Sequence, residues 1–193
     1  MSRAVGLSTG VAMTSLMGAG LTGCGFKLSH PPGMAFRTVA LTGFAPDSPL
    51  ATELARALEA SGVRVVETTA QAASTLAPDG TVRAPNPALL SRHVILESLS
   101  DSRDQVVASS TAFSQVRDMS LRTRFRFRLL RADGSVLLPP TELSLARDAT
   151  FNEKDALAKQ EEFEALHRAM QSDLVAQTLR RLAVVQPEQL ARP

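Results

Sequence analysis

The run Leu121-Arg122-Thr123-Arg124-Phe125-Arg126-Phe127-Arg128-Leu129 alternates without a break, with Leu121, Thr123, Phe125, Phe127 and Leu129 on one parity and four arginines on the other. A period of two belongs to a strand, where successive side chains point to opposite faces. One face of this strand therefore belongs to a core, and the other carries four guanidinium groups. One-sided patterning of this kind is the habit of antiparallel sheets, which bury one face and leave the other to solvent or a partner. Asp133-Gly134 supplies a hairpin turn, and Leu137 with residues 141–150 supplies the returning strand.

Upstream, Phe36, Thr38, Ala40 and Thr42 alternate with Arg37, Val39 and Leu41 in a first strand that is apolar at its centre on both sides. Ser48 is a helix N-cap with Pro49 at the first helical position, and Leu50, Leu54, Ala57, Leu58 and Ser61 share one face before Gly62 stops the helix. Val63, Val65 and Val66 make a second strand, and the polar tract 68–87 reads as a long loop. Residues 93–98 read as a third strand, and Gln105 to Phe113 as a separate fourth. Downstream, Phe163, Leu166, Met170, Leu174, Leu179 and Leu182 recur at helical spacing in a segment from about Glu153 to Val184 that Pro187 ends. The expected architecture is α+β, a two-layer sandwich of one mainly antiparallel or mixed sheet with two helices on one face.

At 193 residues the chain has room for one ordinary domain. Its 21 Lys+Arg nearly balance 19 Asp+Glu, so it lacks the basic excess of a protein that neutralises many nucleic-acid phosphates. Without Trp or Tyr, and with eight Phe, it is also poorly supplied with base-stacking platforms. No nucleic-acid partner is expected. A single cysteine excludes an internal disulfide and any multi-cysteine metal site.

That cysteine is Cys24. Arg3 opens a stretch without acids that runs through Val5, Leu7, Val11, Met13, Leu16 and Met17 to Leu21-Thr22-Gly23-Cys24. A basic start, an apolar run interrupted by Gly and Ser, and small residues before a cysteine resemble a bacterial lipoprotein signal. Residues 1–23 are thus expected to be a cleaved signal peptide, with Cys24 the acylated first residue of the mature chain. A triacylated cysteine exceeds the single chain that gives only marginal membrane binding, so the protein is expected to be membrane-held through its N-terminus. Gly25 and Phe26 follow Cys24, without the Asp that favours inner-membrane retention, so the expected location is the outer membrane, facing the periplasm. Residues 24–35, with Ser29-His30-Pro31-Pro32-Gly33, read as a lipidated tether, 36–184 as one domain, and 185–193 as a flexible tail.

The chain carries no nucleophile elbow, phosphate loop, zinc-protease motif or dinucleotide fingerprint, so no cofactor, no metal and no catalytic residue are assigned. His30, His93 and His167 are scattered; Glu161, Glu162 and Glu164 beside Lys159 read as a solvated helix face. The row Arg122, Arg124, Arg126 and Arg128 has two readings: an outer face paired with Glu142 and neighbouring acids, or a surface that meets anions or a partner.

The opening Cys24-Gly25-Phe26-Lys27-Leu28, the helix from Leu50 to Gly62, and Arg147-Asp148-Ala149-Thr150-Phe151-Asn152 followed by Ala156-Leu157-Ala158-Lys159 and Leu179-Arg180-Arg181-Leu182 are similar to the LptE family of lipopolysaccharide-assembly lipoproteins. The resemblance spans 24–184. It implies a non-catalytic plug and assembly factor for the outer-membrane barrel, of the LptD kind, that inserts lipopolysaccharide into the outer leaflet. It also implies contact with lipopolysaccharide through Lys159, which matches a basic residue of the family. A second family arginine finds Ser110 or Thr111 in its place, with Arg103 and Arg117 as substitutes, and the arginine row offers further cations. The alternatives are an envelope lipoprotein for some other periplasmic partner and, more remotely, a periplasmic hydrolase. Departures from the family are the absent tyrosines and a longer loop around Pro78 to Pro87.

Overall fold

The computed structural model describes residues 33–74, 86–110, 112, 116–151 and 155–190. The signal segment, Cys24, His30 and most of the tether lie outside them. Five strands, β1 (Thr38–Thr42), β2 (Arg64–Val66), β3 (His93–Ser110), β4 (Val116–Arg131) and β5 (Val136–Thr150), form one sheet in the order β2-β1-β3-β4-β5. β1 runs parallel to β2 and β3, whereas β3–β4 and β4–β5 are antiparallel, so the sheet is mixed. Two long helices, α1 (Pro49–Ala60) and α3 (Ala156–Leu182), pack together on one face, and the fold is the expected α+β.

Local chemistry sets these elements. Ser48 Oγ accepts from Ala51 N at 3.3 Å and Pro49 opens α1, whose Leu50, Leu54 and Leu58 are all buried. They meet Val39, Val94 and Leu96 of the sheet, Phe125, Phe127 and Leu129 of β4, and Leu174, Leu179 and Leu182 of α3. Each such side chain contributes about 1.5–3 kcal/mol by leaving water, so this cluster is the main source of cohesion. The hairpin between β4 and β5 turns at Gly134, where φ is 83°, and Asp133 Oδ1 accepts from Ser135 N at 2.8 Å.

The structure departs from the sequence reading in three places. The tract expected as a loop contains α2 (Thr69–Ala73), capped by Thr68, and a 3-10 helix (Pro87–Arg92), capped by Asn86. Both cover the sheet face opposite α1 and α3, where Ala40, Val66 and Ala72 form a small cluster joined by Leu90 and Ile95. These few apolar residues give short helices something to bury that a composition average hides. Residues 75–85 lie outside the described set.

The expected third and fourth strands are one strand, the 18-residue β3. Its polar middle, Ser98 to Asp104, lacks apolar alternation, but β4 offers a full row of backbone partners and the ladder continues through an irregularity between Ser98 and Ser100. That extra residue switches the faces. Beyond it Asp101, Arg103 and Gln105 stand opposite Phe125, Thr123 and Leu121, on the parity that faces the helices.

Finally, Pro187 does not simply end the chain's structure. It opens α4 (Pro187–Leu190), and Val185 and Leu190 are buried in the main core where a flexible tail was expected. Arg131 Nε donates to the Gln189 carbonyl at 2.8 Å and ties this segment to β4.

Candidate functional site

The charged residues singled out in the sequence fall on two different surfaces. Arg122, Arg124, Arg126 and Arg128 occupy the outer face of β4, away from α1 and α3, with the first three exposed. In the ladder Arg122 stands opposite Asp104, Arg126 opposite Ser100 and Glu142, and Arg128 opposite Glu97. Arg128 Nε donates to Glu97 Oε2 at 2.6 Å, and among the described residues this is the only ion pair made by the row. Cross-strand acids thus offset the like charges, while three guanidinium groups stay open to solvent.

Lys159 and Arg117 stand at the end of the sheet where α3 begins. Lys159 Nζ donates to Glu162 Oε2 at 2.7 Å, a partner one helical turn on. Arg117 is exposed, and its carbonyl accepts from Phe151 N at 2.7 Å. Close by in the chain, a cavity of about 430 Å³ opens between β3, β4 and α3. Val107, Val116, Met119, Phe151 and Phe163 give it apolar walls, with Gln105, Gln160 and Glu164 as its polar groups. Phe151 and Phe163 face each other with ring centroids 6.3 Å apart.

Arg103 does something the sequence did not suggest. The switch of faces in β3 turns it toward α3, where its Nη2 donates to Gln171 Oε1 while the residue stays exposed. Gln171 Nε2 in turn donates to Glu53 Oε2 at 2.5 Å and to the Pro49 carbonyl at 3.2 Å, and Ser172 Oγ donates to Glu53 Oε1 at 2.6 Å. A polar layer therefore joins β3, α3 and α1 between the main core and a smaller cluster of Leu121, Ala149, Phe163 and Met170. Arg103 is spent on this structural tie. The one advance sign was on α3, where His167, Gln171 and Thr178 interrupt an otherwise apolar stripe.

The histidines sit beside hydroxyls, but not in a form that fits catalysis. Thr38 Oγ1 lies 3.0 Å from His93 Nδ1, and Thr123 Oγ1 lies 3.4 Å from His167 Nδ1. All four residues are buried, so neither hydroxyl meets a substrate. Ser109 Oγ donates to Asp118 Oδ2 with no histidine in the pair. Among the described residues no cluster of His, Cys, Asp and Glu could hold a metal ion, and no helix is long and apolar enough to cross a membrane.

Burial pushes the pKa of both histidines down, and for His167 the positive charge of Arg103 adds to this. The unfolded chain therefore takes up protons first as pH falls below the ordinary histidine value of 6.5, and stability present above that value is lost towards the lowered folded pKa. Asp101, raised by burial, acts with the opposite sign and starts from the lower carboxylate range. Urea denaturation should give a smaller unfolding free energy at pH 5 than at pH 7, and a flatter difference in the His93→Gln/His167→Gln variant. Equal slopes in the two proteins would remove the histidines as the cause.

Similarity to known proteins follows the whole folded region. The family model described as LptE: Lipopolysaccharide-assembly matches residues 36–182. The fold is similar to the solution structure of an uncharacterized lipoprotein B from Nitrosomonas europaea, at 25% identity and TM-score 0.62, covering 82% of this chain and 90% of that one. The crystal structure of rare lipoprotein B from Shewanella oneidensis is similar at 18% identity and TM-score 0.56, covering 76% and 94% of the two chains. A minor lipoprotein from Acinetobacter baumannii gives 17%, 0.56, 77% and 91%. No curated protein matches the sequence.

Proposed function

Because the chain belongs to the LptE family of lipopolysaccharide-assembly proteins, we propose that it is the lipoprotein partner of the outer-membrane β-barrel that inserts lipopolysaccharide into the outer leaflet. It plugs that barrel, supports its assembly and contacts lipopolysaccharide. The observation that carries this reading is the family match over residues 36–182, which takes in the whole sheet and both long helices. A non-catalytic role agrees with the family's character. Cys24 holds the mature protein to the periplasmic side of the outer membrane through its acyl chains, which mass spectrometry of membrane-extracted protein reads directly. An unmodified thiol in a soluble fraction would reject the anchor.

Co-purification tests the partner. A large outer-membrane barrel should come down with the tagged protein in near-equal amount, and depletion should remove that barrel from the outer membrane. Normal lipopolysaccharide export after depletion would sink the plug reading.

For the lipid contact, the cavity beside the start of α3 has apolar walls suited to acyl chains, and Lys159 and Arg117, neighbours in the chain of its lining residues, offer cations to the phosphates that accompany them. The Lys159–Glu162 pair is a surface ion pair contributing about 0–1 kcal/mol, little enough for an anionic ligand to take the amine. Lys159→Asp should therefore weaken lipopolysaccharide binding and reduce its salt dependence. Helix content and barrel association should stay, since an acid in the first turns of α3 suits the helix dipole. Unchanged binding at low ionic strength would remove Lys159 and leave Arg117 and the arginine row as the contact.

A further inference from the structure

A second basic region lies at the other end of β3. Arg37, Arg64 and Arg92 all line one cavity of about 370 Å³, together with Thr38, Gly62 and the apolar Ala72, Ala88 and Leu89. Among the described residues, none that lines it is acidic. All three are tied through their backbones: Arg64 N donates to the Arg37 carbonyl at 2.9 Å, and Arg37 N to the Arg92 carbonyl at 2.9 Å. The fold thus brings three like charges into one concave space from β2, the start of β1 and the end of the 3-10 helix.

All three arginines are exposed, and like charges lining one concave space repel each other. On the outer face of β4, Arg128 pairs with Glu97, and Arg122 and Arg126 stand opposite Asp104 and Glu142. Here, among the described residues, none of the three guanidinium groups makes an ion pair or a side-chain hydrogen bond. A charged residue on an edge strand discourages edge-to-edge pairing, which accounts for Arg64 on β2. It does not account for Arg37 and Arg92 lining the same cavity. Planar guanidinium groups lining one space are a usual means of holding phosphate oxygens through paired N–H donors.

We propose that Arg37, Arg64 and Arg92 form a binding site for a phosphate group, separate from the end of the sheet that carries Lys159. β3 joins the two regions, and at about 3.3 Å per residue its 18 residues span roughly 55–60 Å, so one phosphate cannot serve both. The phosphate belongs either to an anionic phospholipid headgroup or to a small soluble phosphate. The proposal does not depend on the barrel reading.

The test uses the full chain purified in a neutral detergent, titrated calorimetrically with inorganic phosphate and, separately, with short-chain phosphatidylglycerol. Saturable binding is expected for at least one. Arg37→Gln/Arg64→Gln/Arg92→Gln should weaken it about tenfold or more, from the loss of charge-assisted hydrogen bonds. The same charge removed elsewhere, as Arg56→Gln/Arg168→Gln/Arg180→Gln, three exposed arginines outside this cavity, should leave it unchanged. Binding of inorganic phosphate identifies a soluble ligand, and binding of the lipid alone identifies a headgroup; either supports the site. No saturable binding of either probe overturns it, and so does an equal loss in both triple variants. Should the first variant fail to fold, amide shifts of the wild-type protein on titration decide: they should centre on Arg37, Arg64 and Leu89, and shifts centred elsewhere overturn the proposal.

Discussion

Phe125→Ala should destabilise the folded chain by about 3–5 kcal/mol, the range for removing a buried phenylalanine. Phe125 is fully buried at the centre of β4, stacked on Phe127 with ring centroids 5.1 Å apart and on Phe44 at 5.9 Å. Its removal leaves a cavity bounded by rigid strands and by α1 and α3, where collapse is limited. A domain of this size has about 5–15 kcal/mol in total, so the variant would lose a large share of it. Arg124→Ala, one residue away on the outer face, should change stability by no more than about 0.5 kcal/mol. Urea denaturation of the two variants compares the faces of a single strand. Similar losses in both would mean that the outer face is also packed against something.

Gly43→Ala is the other large effect, at about 2–5 kcal/mol. Gly43 has φ of 75°, and a Cβ built there would lie 2.3 Å from the Ser98 carbonyl oxygen. The left-handed backbone costs an alanine about 1–2 kcal/mol, and forcing apart two backbone segments adds about 1–3 kcal/mol. Gly134 separates these contributions, because its φ is 83° but nothing lies within 4 Å of the added carbon. Gly134→Ala should therefore cost only the smaller, conformational part. The clash at Gly43 falls where β3 takes its extra residue, between Ser98 and Ser100. Its relief would move the point at which β3 changes faces, and with it Arg103 and the polar layer to α3. Equal losses at the two glycines would show that Ser98 yields freely and that this junction is not tightly packed.

The arrangement has a bearing on the proposed partner. The main core lies on the side of α1 and α3, so the outer face of β4 can change its neighbours without disturbing that core. Exposed Arg122, Arg124 and Arg126 are in that position. Arg103 is not, because it is tied to Gln171, and it should tolerate substitution less well than the other arginines considered as lipid contacts.

Local patterns in the chain were enough to determine β4, α1 and the core of α3. Strict alternation from Leu121 to Leu129, a Ser48-Pro49 cap before leucines four residues apart, and apolar residues at helical spacing each act within a few residues, where geometry depends on the chain itself. The motifs from Leu50 to Leu182, taken in order, also sufficed for the family, and the Lys159–Glu162 pair follows from a spacing of three on a helix. Tertiary structure decided everything that depended on contact between distant segments. A polar stretch became the middle of β3 because β4 supplied backbone partners, and α2 and α4 formed because Ala72 and Leu190 found apolar neighbours far away in sequence. One extra residue opposite Gly43 turned Arg103 toward α3, and parallel pairing beside β1 brought Arg37, Arg64 and Arg92 to one cavity. The physical reason is common to these cases: burial and strand pairing reward residues for their neighbours in space, and a sequence period records only neighbours along the chain.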